Sequence, residues 1–134
     1  MKKAIGFILL SVVLFSALTS SVFADSAIMP RYNNISACSS LFDIIDNTAY
    51  ISINYMGAKG ICTGATINIK LQKRVLLLFW STENEWITTT YVPSFDEIYT
   101  YPVASGTYRV TIEFTIRGSA GPDDVISQTH EKSN

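Results

Sequence analysis

The chain has few of the residue types on which most enzyme chemistry depends. Its 134 residues include one histidine and two cysteines. A cysteine nucleophile needs a histidine base, and a zinc site needs several nitrogen or sulfur ligands. His130, with Asp123, Asp124 and Glu131, offers at most a weak cation site, and a Gly-Pro-Asp-Asp sequence is more typical of a turn. Because a glycine-rich phosphate loop and a nucleophile elbow are also missing, we predict no catalytic residue, no metal and no cofactor.

Acidic residues occur in two places where a glycosidase could carry its pair of carboxylates. Asp96 and Glu97 are adjacent, and Glu83 and Glu85 are separated by one residue. A glycosidase needs its two carboxylates on opposite sides of a cleft. Acids this close together in short strands or loops are more typical of solvated surface positions. A small secreted hydrolase therefore stays an alternative function, not the preferred one.

The chain also lacks runs of charge of one sign. Lys2 and Lys3 lie in an N-terminal segment that we predict to be removed. Without them, the 10 basic residues fall to 8 against 11 acidic ones, which gives a formal charge of −3. Nucleic-acid binding depends on clustered Lys and Arg that neutralise phosphates. We therefore expect no nucleic-acid partner.

The first 24 residues have the pattern of a secretory signal peptide. Met-Lys-Lys precedes an apolar stretch at residues 4–18, small residues lead to Ala24, and Asp25 is the first acidic residue. We predict cleavage after Ala24 and a secreted, extracellular protein. A retained anchor is the alternative, but the stretch is short for a span of ~20 residues. We expect a lead-in at residues 25–34, a domain at 35–130 and a polar tail at 131–134.

One strand, at residues 107–117, organises the rest of the domain. Apolar and polar residues alternate along it without a fault, and Gly106 and Gly118 bracket it. This period of two indicates one buried face and one wet face, as in antiparallel sheets. Six more segments indicate strands, at residues 35–45, 49–56, 65–73, 86–92, 95–101 and 125–130. The pattern predicts an all-β antiparallel sandwich of about seven strands, similar to immunoglobulin or fibronectin domains.

Tyr108, just after the turn into this strand, is the candidate for a tyrosine corner, in which the hydroxyl bonds back across the turn. The alternative is a tyrosine that fills the rim of the core.

Several motifs together resemble a family of small secreted proteins of Gram-positive bacteria. They are Arg31-Tyr-Asn-Asn-Ile35, the alternation from Ala49, Ile69-Lys-Leu-Gln-Lys73, two spaced tryptophans and Gly106-Thr-Tyr-Arg-Val110. The family carries a domain of unknown function. The resemblance implies secretion and an immunoglobulin-like sandwich, and it implies no activity.

Cys38 and Cys62 form a candidate disulfide. An even number of cysteines in a secreted chain favours a bond. The loop that holds Cys62 would have to fold back toward Cys38. By the chain-entropy estimate, closing ~25 residues would stabilise the fold by roughly 3 kcal/mol. Two separate thiols are the alternative.

An apolar run breaks the alternation in the middle of the chain: Val75, Leu76, Leu77, Leu78, Phe79 and Trp80. The third strand could continue to Trp80 and be buried on both faces. Alternatively, the chain turns after Arg74 and the run forms an exposed hairpin tip that contacts a membrane or a partner. Lys70, Lys73 and Arg74 would suit anionic lipid headgroups. Because no turn residue lies between Leu71 and Trp80, the continuous strand is preferred.

These observations favour a secreted, non-enzymatic binding or interaction module. Its partner is unknown; protein, glycan and membrane surfaces all stay open. Outward-pointing tyrosines would support glycan binding, since aromatic rings stack on sugars. The candidates are Tyr32, Tyr50, Tyr91 and either Tyr99 or Tyr101.

Overall fold

The computed structural model describes residues 32–134. The predicted signal peptide, its cleavage site after Ala24 and most of the lead-in lie outside these residues. Within the described range, no helix has the length and apolar character needed to cross a membrane.

The described residues form an antiparallel all-β sandwich, which confirms the predicted fold class. Each strand pairs with its neighbours in antiparallel register. The seven strands are β1 (Ile35–Ile45), β2 (Thr48–Gly57), β3 (Cys62–Val75), β4 (Phe79–Thr90), β5 (Ser94–Pro102), β6 (Thr107–Gly118) and β7 (Asp124–Ser133).

The strands divide into a sheet of three and a sheet of four. The first has the order β1-β2-β5, and the second has the order β4-β3-β6-β7. In constant-type immunoglobulin domains, the fourth strand belongs to the first sheet. Here β4 pairs with β3 along its whole length, because the two strands are joined by only three residues. The β3–β4 hairpin is therefore a single long ribbon at the edge of the second sheet.

The core lies between the two sheets, and most of it follows the predicted alternation. Three strands supply nearly all of the fully buried side chains, one from the first sheet and two from the second. Full burial of one such aliphatic or aromatic side chain stabilises the fold by about 1.5–3 kcal/mol. The inward residues are Ala49, Ile51, Ile53 and Tyr55 on β2, Ala65, Ile67, Ile69 and Leu71 on β3, and Tyr108, Val110, Ile112, Phe114 and Ile116 on β6.

The preferred interpretation of the apolar run, a buried strand continuing to Trp80, is wrong. The chain turns after Val75, and β4 begins at Phe79 instead of near Trp86. Only three residues connect the strands, so the second half of the run pairs back on the first, with Val75 opposite Phe79. A sandwich of two sheets has no third layer to cover the outer face of such a strand.

Tyr108 makes the bond that defines a tyrosine corner. Its ring is buried, and its hydroxyl donates to the carbonyl oxygen of Ala104 at 2.9 Å. The Lys73 ammonium lies 5.7 Å from the ring centroid. Gly106 permits this approach, since a Cβ there would lie 2.8 Å from Cε of Lys73, and its φ of +149° favours glycine. The corner thus fixes the β5–β6 connection beside the end of β3.

Asp124, predicted as part of a turn, anchors the start of β1. It is 5% exposed, and its two carboxylate oxygens accept the backbone N–H groups of Asn33, Asn34 and Ile35 at 2.6–3.0 Å. Charge-assisted bonds of this kind are about twice as strong as neutral ones. The role of Asp124 is therefore to join β7 to the beginning of the domain.

Candidate functional site

Four consecutive exposed apolar residues lie at the turn of the β3–β4 hairpin. Leu76, Leu77, Leu78 and Phe79 are 85%, 84%, 81% and 62% exposed. We call these four residues the apolar tip. Of the other two residues in the predicted contact segment, Val75 is 38% exposed and Trp80 is half-buried. Large contiguous apolar exposure marks contact sites on soluble proteins.

The backbone at the apolar tip has a conformation that leucine rarely adopts. Leu76 and Leu77 have φ values of 50° and 65°. Asp46 and Asn47, in the β1–β2 turn, have the similar values 49° and 57°. Asp, Asn and Gly are the usual residues in such turns, because a left-handed backbone crowds other side chains. The tip therefore keeps apolar side chains at positions where the turn alone would favour Asn or Gly.

Behind the apolar tip, two arginines contact the ring of Trp80. The guanidinium carbon of Arg109 is 4.3 Å from a ring centroid of Trp80, and that of Arg74 is 5.0 Å away. Arg109 also donates twice to Oε1 of Gln72, at 3.0 and 2.6 Å, and Arg74 donates to Glu131 at 2.6 Å. These contacts hold both guanidinium groups near the base of the tip.

Lys73 adds a third positive charge at this level, opposite Tyr108 in the sheet. We call Lys73, Arg74 and Arg109 the basic collar. No acidic residue lies between Lys70 and Thr82 in the sequence, although the whole chain has a net charge of −1. Glu131 is the carboxylate that contacts the collar among the described residues. The hairpin is thus locally positive on a weakly acidic protein.

A Ser–His contact lies elsewhere, between β1 and β7, and the sequence did not indicate it. Ser40 Oγ is 2.7 Å from Nε2 of His130 and donates to Oε1 of Gln128 at 2.5 Å. The tautomer of His130 sets which of the two groups donates in the Ser40–His130 contact. Ninety residues separate Ser40 and His130 in the chain, so no local motif could have revealed the pair.

The predicted disulfide between Cys38 and Cys62 is absent, and both cysteines are free. Cys38 lies on β1 in the first sheet, whereas Cys62 begins β3 in the second sheet. Gln128 Nε2 contacts the sulfur of Cys38 at 3.7 Å, and burial raises the pKa of its thiol. The loop after β2 returns Cys62 beside Gly57 and not to Cys38, which explains why the expected pairing does not form.

The predicted acidic pairs do not face a common cleft. Asp96 and Glu97 are consecutive strand residues, so their side chains point to opposite sides of the sheet. Glu83 and Glu85 are exposed on β4. Within residues 32–134, no group of three His, Cys, Asp or Glu side chains is placed to hold a metal. Asp124 was one of the residues considered for a weak cation site in the sequence, and its carboxylate accepts backbone N–H groups instead.

The tyrosines do not form one exposed row. Tyr99 and Tyr101 pack against Trp86, with ring centroids 5.6 and 6.1 Å away. Burial raises the pKa of the Tyr99 hydroxyl, which contacts Thr88 at 2.6 Å. Exposed tyrosines are left at separate places: Tyr32, Tyr50 and Tyr91.

Comparison of this chain with protein-family models, with curated proteins and with solved structures finds no match.

Proposed function

We propose that this protein is a secreted, non-enzymatic binding module that contacts its partner through the apolar tip. The observation that carries the proposal is the exposure of four consecutive apolar residues, from 62% to 85%, at one hairpin turn. These side chains contribute little burial to the fold, so folding alone does not account for them. The signal-peptide pattern and the resemblance to small secreted Gram-positive proteins support an extracellular partner.

The conformational cost of the tip supports the same proposal. Leu76 and Leu77 have left-handed φ values, which cost an L-residue roughly 1–2 kcal/mol each. Local backbone strain of this kind is often found at functional sites. A turn selected only for stability would carry residues like Asp46 and Asn47 at the other hairpin.

The experiment compares two double variants in their binding to a bacterial cell-envelope fraction. Leu77→Asp/Phe79→Asp places two charges on the apolar tip. Leu41→Asp/Ile98→Asp is the matched control, since Leu41 and Ile98 are 72% and 64% exposed on strands of the other sheet. We expect purified protein starting at Asp25 to co-sediment with the envelope fraction, and only the tip variant to lose this binding.

Two results would contradict the proposal. One is a folded tip variant that binds like the wild type, which would place the contact elsewhere. The other is equal loss of binding in the tip and control variants, which would indicate non-specific adhesion of apolar surface. Near-ultraviolet circular dichroism of both variants checks that neither has unfolded.

A small secreted hydrolase is the competing function, and its best candidate residues can be tested directly. Ser40→Ala removes the hydroxyl that contacts His130, and Asp96→Asn/Glu97→Gln removes the adjacent acids. Turnover of ester, peptide or glycoside substrates that disappears in either variant would reject the non-enzymatic proposal. We expect no such turnover in the wild type.

A further inference from the structure

We infer that the partner of the apolar tip is an anionic lipid bilayer, entered by the hairpin turn with the basic collar at the level of the lipid phosphates. This inference rests on the proposed function and adds the chemical class of the partner. It depends on the order of side chains along the hairpin, on the charge of the collar and on the shape of the tip.

The order of side chains along the hairpin follows the layers of a bilayer surface. Leu76, Leu77 and Leu78 come first, Phe79 and Val75 follow as a pair, and Trp80 is paired with Arg74 behind them. At about 3.3 Å per residue, Trp80 lies at most roughly 10 Å behind Leu77. Apolar groups of interfacial proteins reach about 5–10 Å into the boundary between headgroups and acyl chains. Tryptophan is enriched at that boundary.

The basic collar supplies charge of the sign that anionic lipids attract. Lys73, Arg74 and Arg109 are positive, and Glu131 offsets part of this charge by pairing with Arg74 at 2.6 Å. Each Lys or Arg close to an anionic surface strengthens binding about fivefold, from about 1 kcal/mol. A guanidinium group matches the geometry of phosphate oxygens better than an ammonium group. The two arginines are held beside Trp80, so they need little further ordering to meet a headgroup.

The shape of the tip favours a bilayer over a protein partner. The four residues are exposed at the end of a hairpin, and Leu78 N–H donates to the carbonyl oxygen of Leu76 at 2.8 Å, which satisfies one backbone donor inside the turn. Unsatisfied backbone groups are the main cost of entering an apolar phase. Leucine is under-represented among the residues that dominate protein–protein binding, whereas entry into an acyl layer requires only apolar surface.

Flotation with vesicles tests the inference. One set contains phosphatidylglycerol and phosphatidylcholine in equal amounts, and the other contains phosphatidylcholine alone. We expect the wild type to float with the anionic vesicles, to bind less as salt is raised, and to bind weakly to the neutral ones. Leu77→Asp/Phe79→Asp should abolish flotation. Leu76→Asn/Leu77→Gly should also abolish most of it while favouring the turn, so loss of binding there cannot be ascribed to unfolding.

Charge variants test the collar separately from the tip. Arg74→Gln should weaken anionic-vesicle binding about fivefold. Lys59→Gln is the matched control, because Lys59 lies in the exposed loop before β3, at the opposite end of that strand from the tip, and should have no effect. Glu131→Gln frees Arg74 from its carboxylate and should strengthen binding.

The outcomes distinguish this inference from the proposed function. Failure of the wild type to bind vesicles of either composition, or equal binding to both, overturns the inference. If the envelope fraction is nevertheless bound in a tip-dependent way, the partner is a protein or glycan and the proposed function stands. If the tip variants bind both envelope and vesicles like the wild type, both conclusions are wrong.

Discussion

The guanidinium group of Arg109 on β6 covers the indole ring of Trp80 on β4, with 4.3 Å between the guanidinium carbon and a ring centroid. The two residues come from strands that are not neighbours, because β3 lies between them. Gln72 on β3 completes the contact by accepting two N–H groups of the same guanidinium. These contacts join the base of the β3–β4 hairpin to β6.

Arg109→Lys should lower the free energy of unfolding by about 1 kcal/mol, since lysine loses the planar contact with Trp80 and the double donation to Gln72. Urea unfolding at constant salt measures the change. Binding to anionic vesicles should weaken less than in Arg74→Gln, because the positive charge is retained although the guanidinium geometry is lost. An unchanged unfolding midpoint would show that the arginine contacts do not stabilise the hairpin.

Leu76→Asn/Leu77→Gly should raise the free energy of unfolding by roughly 1 kcal/mol or more, because both new residues tolerate the left-handed backbone that leucine resists. For a domain of this size, the melting temperature should rise by roughly 4–8 °C per kcal/mol. Asp46→Ala/Asn47→Ala at the other turn should have the opposite effect. A lower melting temperature for the tip variant would mean that the leucines stabilise the fold, contrary to our account.

Asp124→Asn should destabilise the domain by about 2 kcal/mol, since a neutral amide replaces a carboxylate that accepts three backbone N–H groups. Asp123→Asn is the matched control one residue away, where the side chain is exposed, and it should stay within about 0.5 kcal/mol of the wild type. Equal effects of the two substitutions, measured by thermal unfolding, would contradict the anchoring role of Asp124.

Both thiols should be alkylatable in unreduced protein, and Cys38 should react slowly at neutral pH. Burial raises the pKa of the Cys38 thiol, so less of the reactive thiolate is present at any pH below that pKa. Its alkylation rate in the folded protein should keep rising as pH passes the ordinary thiol range, and unfolding in urea should accelerate it. Site-resolved mass spectrometry measures the alkylation rate of Cys38. Equal rates in the folded and the unfolded protein would contradict the burial of its thiol.

The sequence predicted the fold where a local pattern had one physical solution. Alternation placed Tyr108 to Ile116 on one face of β6, and all five apolar residues on that face are buried. The turn at Asp46 and Asn47 can be predicted from the sequence, because their side chains suit a left-handed backbone. The turn between β3 and β4 could not be predicted in the same way, because Leu76 and Leu77 adopt a left-handed backbone although leucine is not a usual turn residue.

The remaining errors concern contacts between distant parts of the chain. Asp124 binds residues 89 to 91 positions away, and Ser40 meets His130 at a separation of 90. The packing of β1 against β7, which belong to different sheets, brings these groups together, and no short motif encodes that packing. The cysteine prediction failed for the same reason: spacing alone could not show that the loop after β2 returns Cys62 beside Gly57 and not to Cys38. The apolar run could be identified from the sequence because a contiguous run is a local signal, and its role as a contact segment stays a prediction.

The most direct test of the account is the fluorescence of Trp80 during binding. Trp86→Phe leaves Trp80 as the sole tryptophan and keeps an aromatic ring against Tyr99. On addition of vesicles containing phosphatidylglycerol, we expect its emission to shift to the blue and to be quenched by lipids brominated near the headgroup end of the acyl chain. Leu77→Asp/Phe79→Asp in the same background should show neither effect. Vesicle binding with unchanged Trp80 emission would contradict insertion of the apolar tip.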